Sequence, residues 1–147
     1  MLPLLTRIDH VGIACRDLET TVRLYVATFG LDVVSVEVNE EQGVREAMLA
    51  VGEGTEGAGA GPGYVQLLEP LAADTPVGRF LDRRGEGLHH VGYGVSDVGQ
   101  VLAELSGTGI RLIDSRPRHG SMGASIAFLH PADLSGVLTE LVQAGPA

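Results

Sequence analysis

The sequence predicts an α+β fold made of two βαβββ modules, and three observations carry that prediction. The segment Ile8-Asp9-His10-Val11-Gly12-Ile13-Ala14 returns eighty residues later as Leu88-His89-His90-Val91-Gly92-Tyr93-Gly94. Each copy is followed at the same offset by an acid and an aliphatic residue, Asp17-Leu18 and Asp97-Val98, and then by apolar residues at helical spacing. The length, 147 residues, suits a single core that buries about two thirds of the chain's surface. One domain over residues 1–147 is therefore expected, with a first module at about 6–70 and a second at about 86–143.

The elements follow in order. Each repeated segment alternates apolar and polar residues between polar bounds, the pattern of a strand of about seven residues. In the first module Asp17 is the expected N-cap, Leu18, Val22, Tyr25 and Phe29 form the buried stripe, and Gly30 supplies the stop. In the second, Ser96 or Asp97 caps, Val98, Val101, Leu102 and Leu105 form the stripe, and Gly107 ends it. Strands are then expected at Leu31–Val38, Val44–Val51 and Tyr64–Leu68, and at Ile110–Asp114, Ala124–Leu129 and Gly136–Val142.

Residues 52–63 hold six glycines and look superficially like a dinucleotide-binding loop. A phosphate-binding glycine loop must open a helix, whereas this one leads into a strand, so it is expected to be a long hairpin loop.

Composition excludes several chemistries. Ten basic against nineteen acidic residues give a net charge of -9, which argues against a nucleic-acid face or an anionic membrane surface. All ten basic residues are arginine, so Schiff-base, pyridoxal-phosphate and Walker-type phosphate chemistry all lack their amine. The single cysteine, Cys15, rules out an internal disulfide and a two-thiol racemase, and is expected to be a small packed residue in a reducing, cytoplasmic protein. The opening MLPLLTRIDH does not read as a signal peptide, and no apolar run approaches the ~20 residues of a membrane span.

Strand alternation puts His10 on one face with Ile8, Gly12 and Ala14, and His90 with Leu88, Gly92 and Gly94. A histidine flanked by glycine on its own face has open volume beside the imidazole, which suits a ligand better than packing. A lone histidine there would read as a hydrogen-bonded core residue, but duplication implies a pair related by a pseudo-twofold. Gln66 and Glu140 are single polar residues in apolar strands. Burying either without a partner costs a few kcal/mol, so each is satisfied by local hydrogen bonds or holds a cation. Two imidazoles, one amide and one carboxylate make a mixed donor set suited to a borderline divalent metal, leaving a net charge of about +1 for Lewis-acid work.

With these residues in view, the chain resembles the vicinal-oxygen-chelate superfamily, and within it the methylmalonyl-CoA epimerase family. The resemblance covers almost the whole length. It is carried by Asp9-His10-Val11-Gly12-Ile13-Ala14, by Glu41-Gln42-Gly43-Val44 with Glu46, by Tyr64-Val65-Gln66-Leu67-Leu68-Glu69-Pro70, by Gly87-Leu88-His89-His90-Val91, and by Ile126-Ala127-Phe128-Leu129-His130-Pro131 with Gly136-Val137-Leu138-Thr139-Glu140-Leu141. The histidine strands are generic to the superfamily; Gln66 and the ending are more specific.

The resemblance implies an eight-stranded cup and a homodimer. It also implies a divalent metal, cobalt first and otherwise manganese, zinc or nickel, bound by His10, Gln66, His90 and Glu140. The implied substrate is methylmalonyl-CoA. Inverting a carbon acid needs a base on one face and an acid on the other, and the family pattern makes Glu46 and Glu140 that pair. Glu46 shares its strand face with Val44 and Met48, an apolar setting that would raise its pKa. Glu140 would serve as both ligand and base, although coordination lowers basicity.

Ser115 and Arg116 are the expected contacts to the acyl end of the substrate, in a rim loop 114–120, and the CoA phosphates would fall to Arg45, Arg79, Arg83, Arg84, Arg116 and Arg118. His119 and His130 read as loop residues. Three other readings share the fold. A glyoxalase-type isomerase would carry a carboxylate where Gln66 stands. An extradiol dioxygenase would use two histidines and one carboxylate without Gln66. A drug-sequestering module would lack the metal ligands.

Overall fold

The computed structural model of the chain describes residues 3–52 and 61–146. Most of the glycine-rich stretch 52–63, and the hairpin loop expected there, lies outside the described residues. Two compact units emerge, one made of His10–Gly54 with Pro62–His89, the other chiefly of His90–Ala147.

The first unit contains most of β1 (Arg7–Ala14), then α1 (Leu18–Phe29), β2 (Asp32–Asn39), β3 (Val44–Val51) and β4 (Gly63–Pro70). Its strands lie in the order β2-β3-β4-β1, antiparallel except for the parallel pair β1 and β4. The second unit repeats the plan with β5 (Gly87–Gly94), α3 (Val98–Leu105), β6 (Arg118–His119), β7 (Ser125–Leu129) and β8 (Thr139–Gln143), in the order β5-β8-β7-β6. Here β5 and β8 are the parallel pair. The α+β class and the doubled strand–helix–strand plan are as the sequence predicts.

Both repeated helices start as expected. Asp17 accepts the backbone N–H of Thr20, and Asp97 that of Gln100. A second side chain from the last strand of each unit reinforces the cap: Glu69 accepts the N–H of Leu18 at 2.7 Å, and Gln143 that of Val98 at 3.0 Å. Each therefore ties down a backbone donor that helix geometry leaves without an intrahelical partner. Gly30 ends α1 in the left-handed region at φ 69°, where a Cβ would be strained, while α3 stops earlier than Gly107, at Ser106.

Leu18, Val22 and Tyr25 of α1 pack on Ala47, Leu49 and Leu67, and Val98, Val101 and Leu102 of α3 on Ala127, Leu129 and Leu141. Burying each such leucine contributes about 1.5–3 kcal/mol. These contacts occupy the helix-facing side of each half-sheet, leaving the opposite side to the polar residues described below.

Four features differ from expectation. Pro76–Arg84 forms a helix, α2, that the sequence reading passed over. Thr75 caps it, Pro76 opens it, and Val77 and Leu81 pack against Ala14, Val44 and Leu68. Ile110–Asp114 is not a strand: only Leu112 bridges to Leu129, and Asp114 turns its carboxylate to the N–H of Phe128. The expected loop 114–120 instead contains β6, so His119 is a strand residue, while Gly136, Val137 and Leu138 precede β8 rather than belonging to it. His130 does lie off the strands, where its Nδ1 accepts the N–H of Ala132.

Candidate active site

The buried polar side chains of the described residues are few: His10, Glu46, Gln66, His90, Thr139 and Glu140. Thr139 satisfies itself locally by donating its hydroxyl to the carbonyl of Val137. The other five are the residues singled out in the sequence as metal ligands or acid/base groups, each 3–5% exposed. A fold that buries so few polar groups gains nothing in stability from these, since a buried polar group costs free energy unless it is paired.

In the first unit, register places three of them on one face. Gln66 lies opposite Gly12 on β1 and opposite Met48 on β3, and Glu46 lies opposite Leu68. Gly12 has no side chain to fill the space beside Gln66. Within that face Gln66 Nε2 donates to Glu46 Oε2 at 2.8 Å. The Gln66 amide thus points its nitrogen at Glu46, which leaves its oxygen as the atom available to a cation. Glu46 is held by an amide donor as well as flanked by Val44 and Met48, so its surroundings are less purely apolar than its strand neighbours suggest. On the edge strand, Glu37 stands directly opposite Glu46, with the Ser35 hydroxyl donating to Glu37 at 3.0 Å.

The second unit carries the matching arrangement. Glu140 lies opposite Gly92 on β5 and opposite Phe128 on β7. His90 Nε2 is 3.6 Å from Glu140 Oε1, and the Phe128 ring stands edge-on to the His90 ring, 5.6 Å between centroids at 83°. A separation of 3.6 Å is too long for a hydrogen bond, but suits two ligand atoms each about 2.0–2.2 Å from a shared cation. The donor chemistry fits a divalent metal of the borderline class.

Of the expected substrate contacts, Ser115 and Arg116 are both exposed, on the segment joining Asp114 to β6. Arg118, two residues on, is placed differently. Its guanidinium lies 5.7 Å over the Phe128 ring, and its Nε is 3.1 Å from Asp114 Oδ1. Neither Phe128 nor Asp114 stood out in the sequence. The signal that could have found Phe128 was its position two residues from Ile126 on the face that Glu140 shares. Cys15 is buried and packed as expected, and burial pushes its thiol up from the ordinary range, away from a nucleophilic role.

Comparison with known proteins agrees with this geometry. Residues 9–128 match the family model of the Glyoxalase/Bleomycin resistance protein/Dioxygenase superfamily. A solved structure of a Streptomyces coelicolor methylmalonyl-CoA epimerase variant in complex with 2-nitronate-propionyl-CoA is 51% identical, covering 97% of this chain and 99% of that one with a TM-score of 0.92. An uncharacterized protein of Bacillus subtilis is 37% identical over 95% of this chain and 93% of its own length. The mitochondrial methylmalonyl-CoA epimerase of Dictyostelium discoideum is 34% identical over 93% of this chain and 78% of that protein. A match over most of the length means that the chain belongs to the glyoxalase/bleomycin resistance protein/dioxygenase superfamily and, within it, to the methylmalonyl-CoA epimerase family.

Proposed function

We propose that the protein interconverts (2R)- and (2S)-methylmalonyl-CoA by moving the proton at C2, as one domain of two modules at about 6–70 and 86–143. The observation that carries this reading is the burial of Glu46 beside Gln66 in one unit and of Glu140 beside His90 in the other, in a chain whose relatives include methylmalonyl-CoA epimerases. His10, Gln66, His90 and Glu140 are the residues that would hold a divalent ion, cobalt first, and two imidazoles, an amide oxygen and a carboxylate have the donor chemistry for one. Such an ion would supply Lewis acidity toward the thioester carbonyl oxygen, where negative charge collects as the proton leaves.

The chain's own residues do the rest. Glu46 takes the C2 proton on one face of the acyl group, and the Gln66 amide holds the receiving carboxylate in place. Glu140 returns a proton on the other face, since one residue alone would put the proton back where it came from. The glycines opposite Gln66 and Glu140 leave room for the acyl group. Ser115 and Arg116 lie within the segment we assign to substrate contacts, and the exposed arginines of α2, Arg79, Arg83 and Arg84, suit the CoA phosphates.

We read the protein as a cytoplasmic homodimer. Val34, Val36 and Val38 of the edge strand β2 are 47%, 52% and 57% exposed, an apolar row that a second copy would cover. Sedimentation at twice the 15.4 kDa chain mass supports the dimer; a monomer refutes it. No helix among the described residues is long and apolar enough to cross a membrane.

The test is proton exchange into methylmalonyl-CoA in deuterated water, with metal stripped and with cobalt restored. Deuterium should enter C2 only in the metal-loaded protein, and epimerisation should be lost in Glu46→Gln. Absence of exchange with every divalent metal tried sinks the assignment. Full epimerisation by Glu46→Gln keeps the function and removes Glu46 from it.

A further inference from the structure

We propose that Phe128 sets how large an alkyl branch the substrate can carry at C2, which makes it a specificity-determining residue; this rests on the epimerase reading above. Within the second unit, the neighbours of Glu140 differ on its two sides. Toward β5 stands Gly92, which contributes no side chain, with His90 two residues away along the same face. Toward β7 stands Phe128, and along its own chain Glu140 is flanked by Leu138 and Val142, which pack with that ring. Directly opposed residues hold their Cβ atoms about 4.5–5.5 Å apart, so the ring is the bulky group that faces the carboxylate across the ladder.

Besides its proton, C2 of the substrate bears three arms. Two carry oxygen, in the carboxylate and the thioester, and the third is pure hydrocarbon. Oxygen-bearing arms are best served on the side of His90, where polar partners stand, whereas the hydrocarbon arm gains by leaving water for the apolar side. When Glu140 exchanges the C2 proton, that branch is one bond from the reacting carbon. It is therefore directed toward β7, against Phe128.

The ring is fixed from several directions. The Phe128 backbone N–H is tied to Asp114 at 2.8 Å, the His90 ring meets the phenyl ring at 83°, and the Arg118 guanidinium lies 5.7 Å over it. Ala124, Ile126 and Val142 pack around it, and at 8% Phe128 is the most exposed of these four buried residues, hence the one a ligand would reach. A close-packed wall cannot give way by a methylene's width without strain, so it discriminates by size. Met48, at the matching station of the first unit, is a poorer gauge, because an unbranched thioether changes rotamer to cede space.

The experiment measures kcat/KM for epimerisation of methylmalonyl-, ethylmalonyl- and propylmalonyl-CoA by the cobalt-loaded protein, since ratios of kcat/KM report differential binding of the transition state. In the wild type the value should fall with each added carbon. Phe128→Leu, which removes the ring and stays apolar, should raise the propyl-to-methyl ratio about 10-fold or more, the low end of what one methylene is worth in a hydrophobic pocket. Phe128→Met should raise it less. Leu129→Val, on the helix-facing side of the same strand, should leave the ratio at the wild-type value, because it loosens β7 without changing the face of Glu140. Should Phe128→Leu fold poorly, judged by its melting curve, Phe128→Met is held to the same direction.

An unmoved ratio in the Phe128 variants overturns the proposal, as does a wild type with no preference for the smallest branch. An equal shift in Leu129→Val overturns it too, since general loosening of the strand would then explain the change. Failure of the epimerase reading looks different: wild-type protein would exchange the C2 proton in none of the three thioesters, and the proposal would fall with it.

Discussion

The two units share a backbone plan and differ in what they place on it. Gln66 and Glu140 occupy the same station, each opposite the glycine of its own repeat. One strand over, Met48 matches Phe128 and Glu46 matches Ile126; on the edge strand, Glu37 matches Arg118. The first unit therefore presents a row of carboxylates, and the second a cation over apolar residues. Duplication preserved the stations opposite the two glycines, and divergence at the outer strands gave one unit an acidic edge and the other a cationic one. The lesson is that a pseudo-symmetric frame carries chemically unlike side chains at matching positions, so the shared backbone plan alone does not fix what each unit does.

The comparison is broken most severely by rewriting the first unit in the pattern of the second. Glu46→Ile should lower epimerisation by about 10²–10⁴-fold, the worth of a positioned general base, while the far-ultraviolet dichroism spectrum stays native. It also removes the acceptor of the Gln66 amide, at a cost of about 1–3 kcal/mol in unfolding free energy by urea titration. Retained activity would show that the acidic row is not what distinguishes the units.

A smaller effect tests the matched pair Met48 and Phe128. Truncating Phe128 to alanine should cost about 3–5 kcal/mol in the same titration, and Met48→Ala about 2–5 kcal/mol. Only Phe128→Ala should also lower epimerisation, because only that ring abuts a candidate metal ligand, His90. Equal losses of activity in both variants would erase the distinction drawn here.

The mildest test concerns the helix caps. The backbone N–H of Thr20 holds the Asp17 carboxyl below the usual carboxylate range. A carboxyl whose folded pKa is depressed contributes stability above its unfolded value, and that contribution fades as pH falls through the folded one. Melting temperature should therefore drop less steeply on acidification in Asp17→Asn than in the wild type. Parallel acid limbs for the two proteins would contradict the cap's charged role.

Much of this was legible without coordinates. The strands of the repeat, β3 and the two capped helices follow from alternation, helical spacing and Asp at the N-cap, all of which act over a few residues. Helix α2 was missed because Arg79, Asp82, Arg83 and Arg84 dilute its apolar stripe, although Thr75-Pro76 and Gly85 were proper start and stop signals. The alternation of Ile110 and Leu112 suggested a strand, but Asp114 satisfies the Phe128 N–H with its side chain and ends the ladder after a single bridge. The short β6 could not announce itself in two residues.

The residues of the candidate site were readable for a related reason. A polar residue inside an apolar strand contradicts its surroundings, and the repeat showed which contradictions came in pairs. Those are properties of residue type and spacing, and the sequence by itself determined them. What only the tertiary structure decided is partnership: that Gln66 gives its amide to Glu46 twenty residues away, and that Asp114 steadies Arg118 over Phe128. Such pairings depend on strand register and on where an edge strand begins, and both are set by packing between segments far apart in the chain rather than by local pattern.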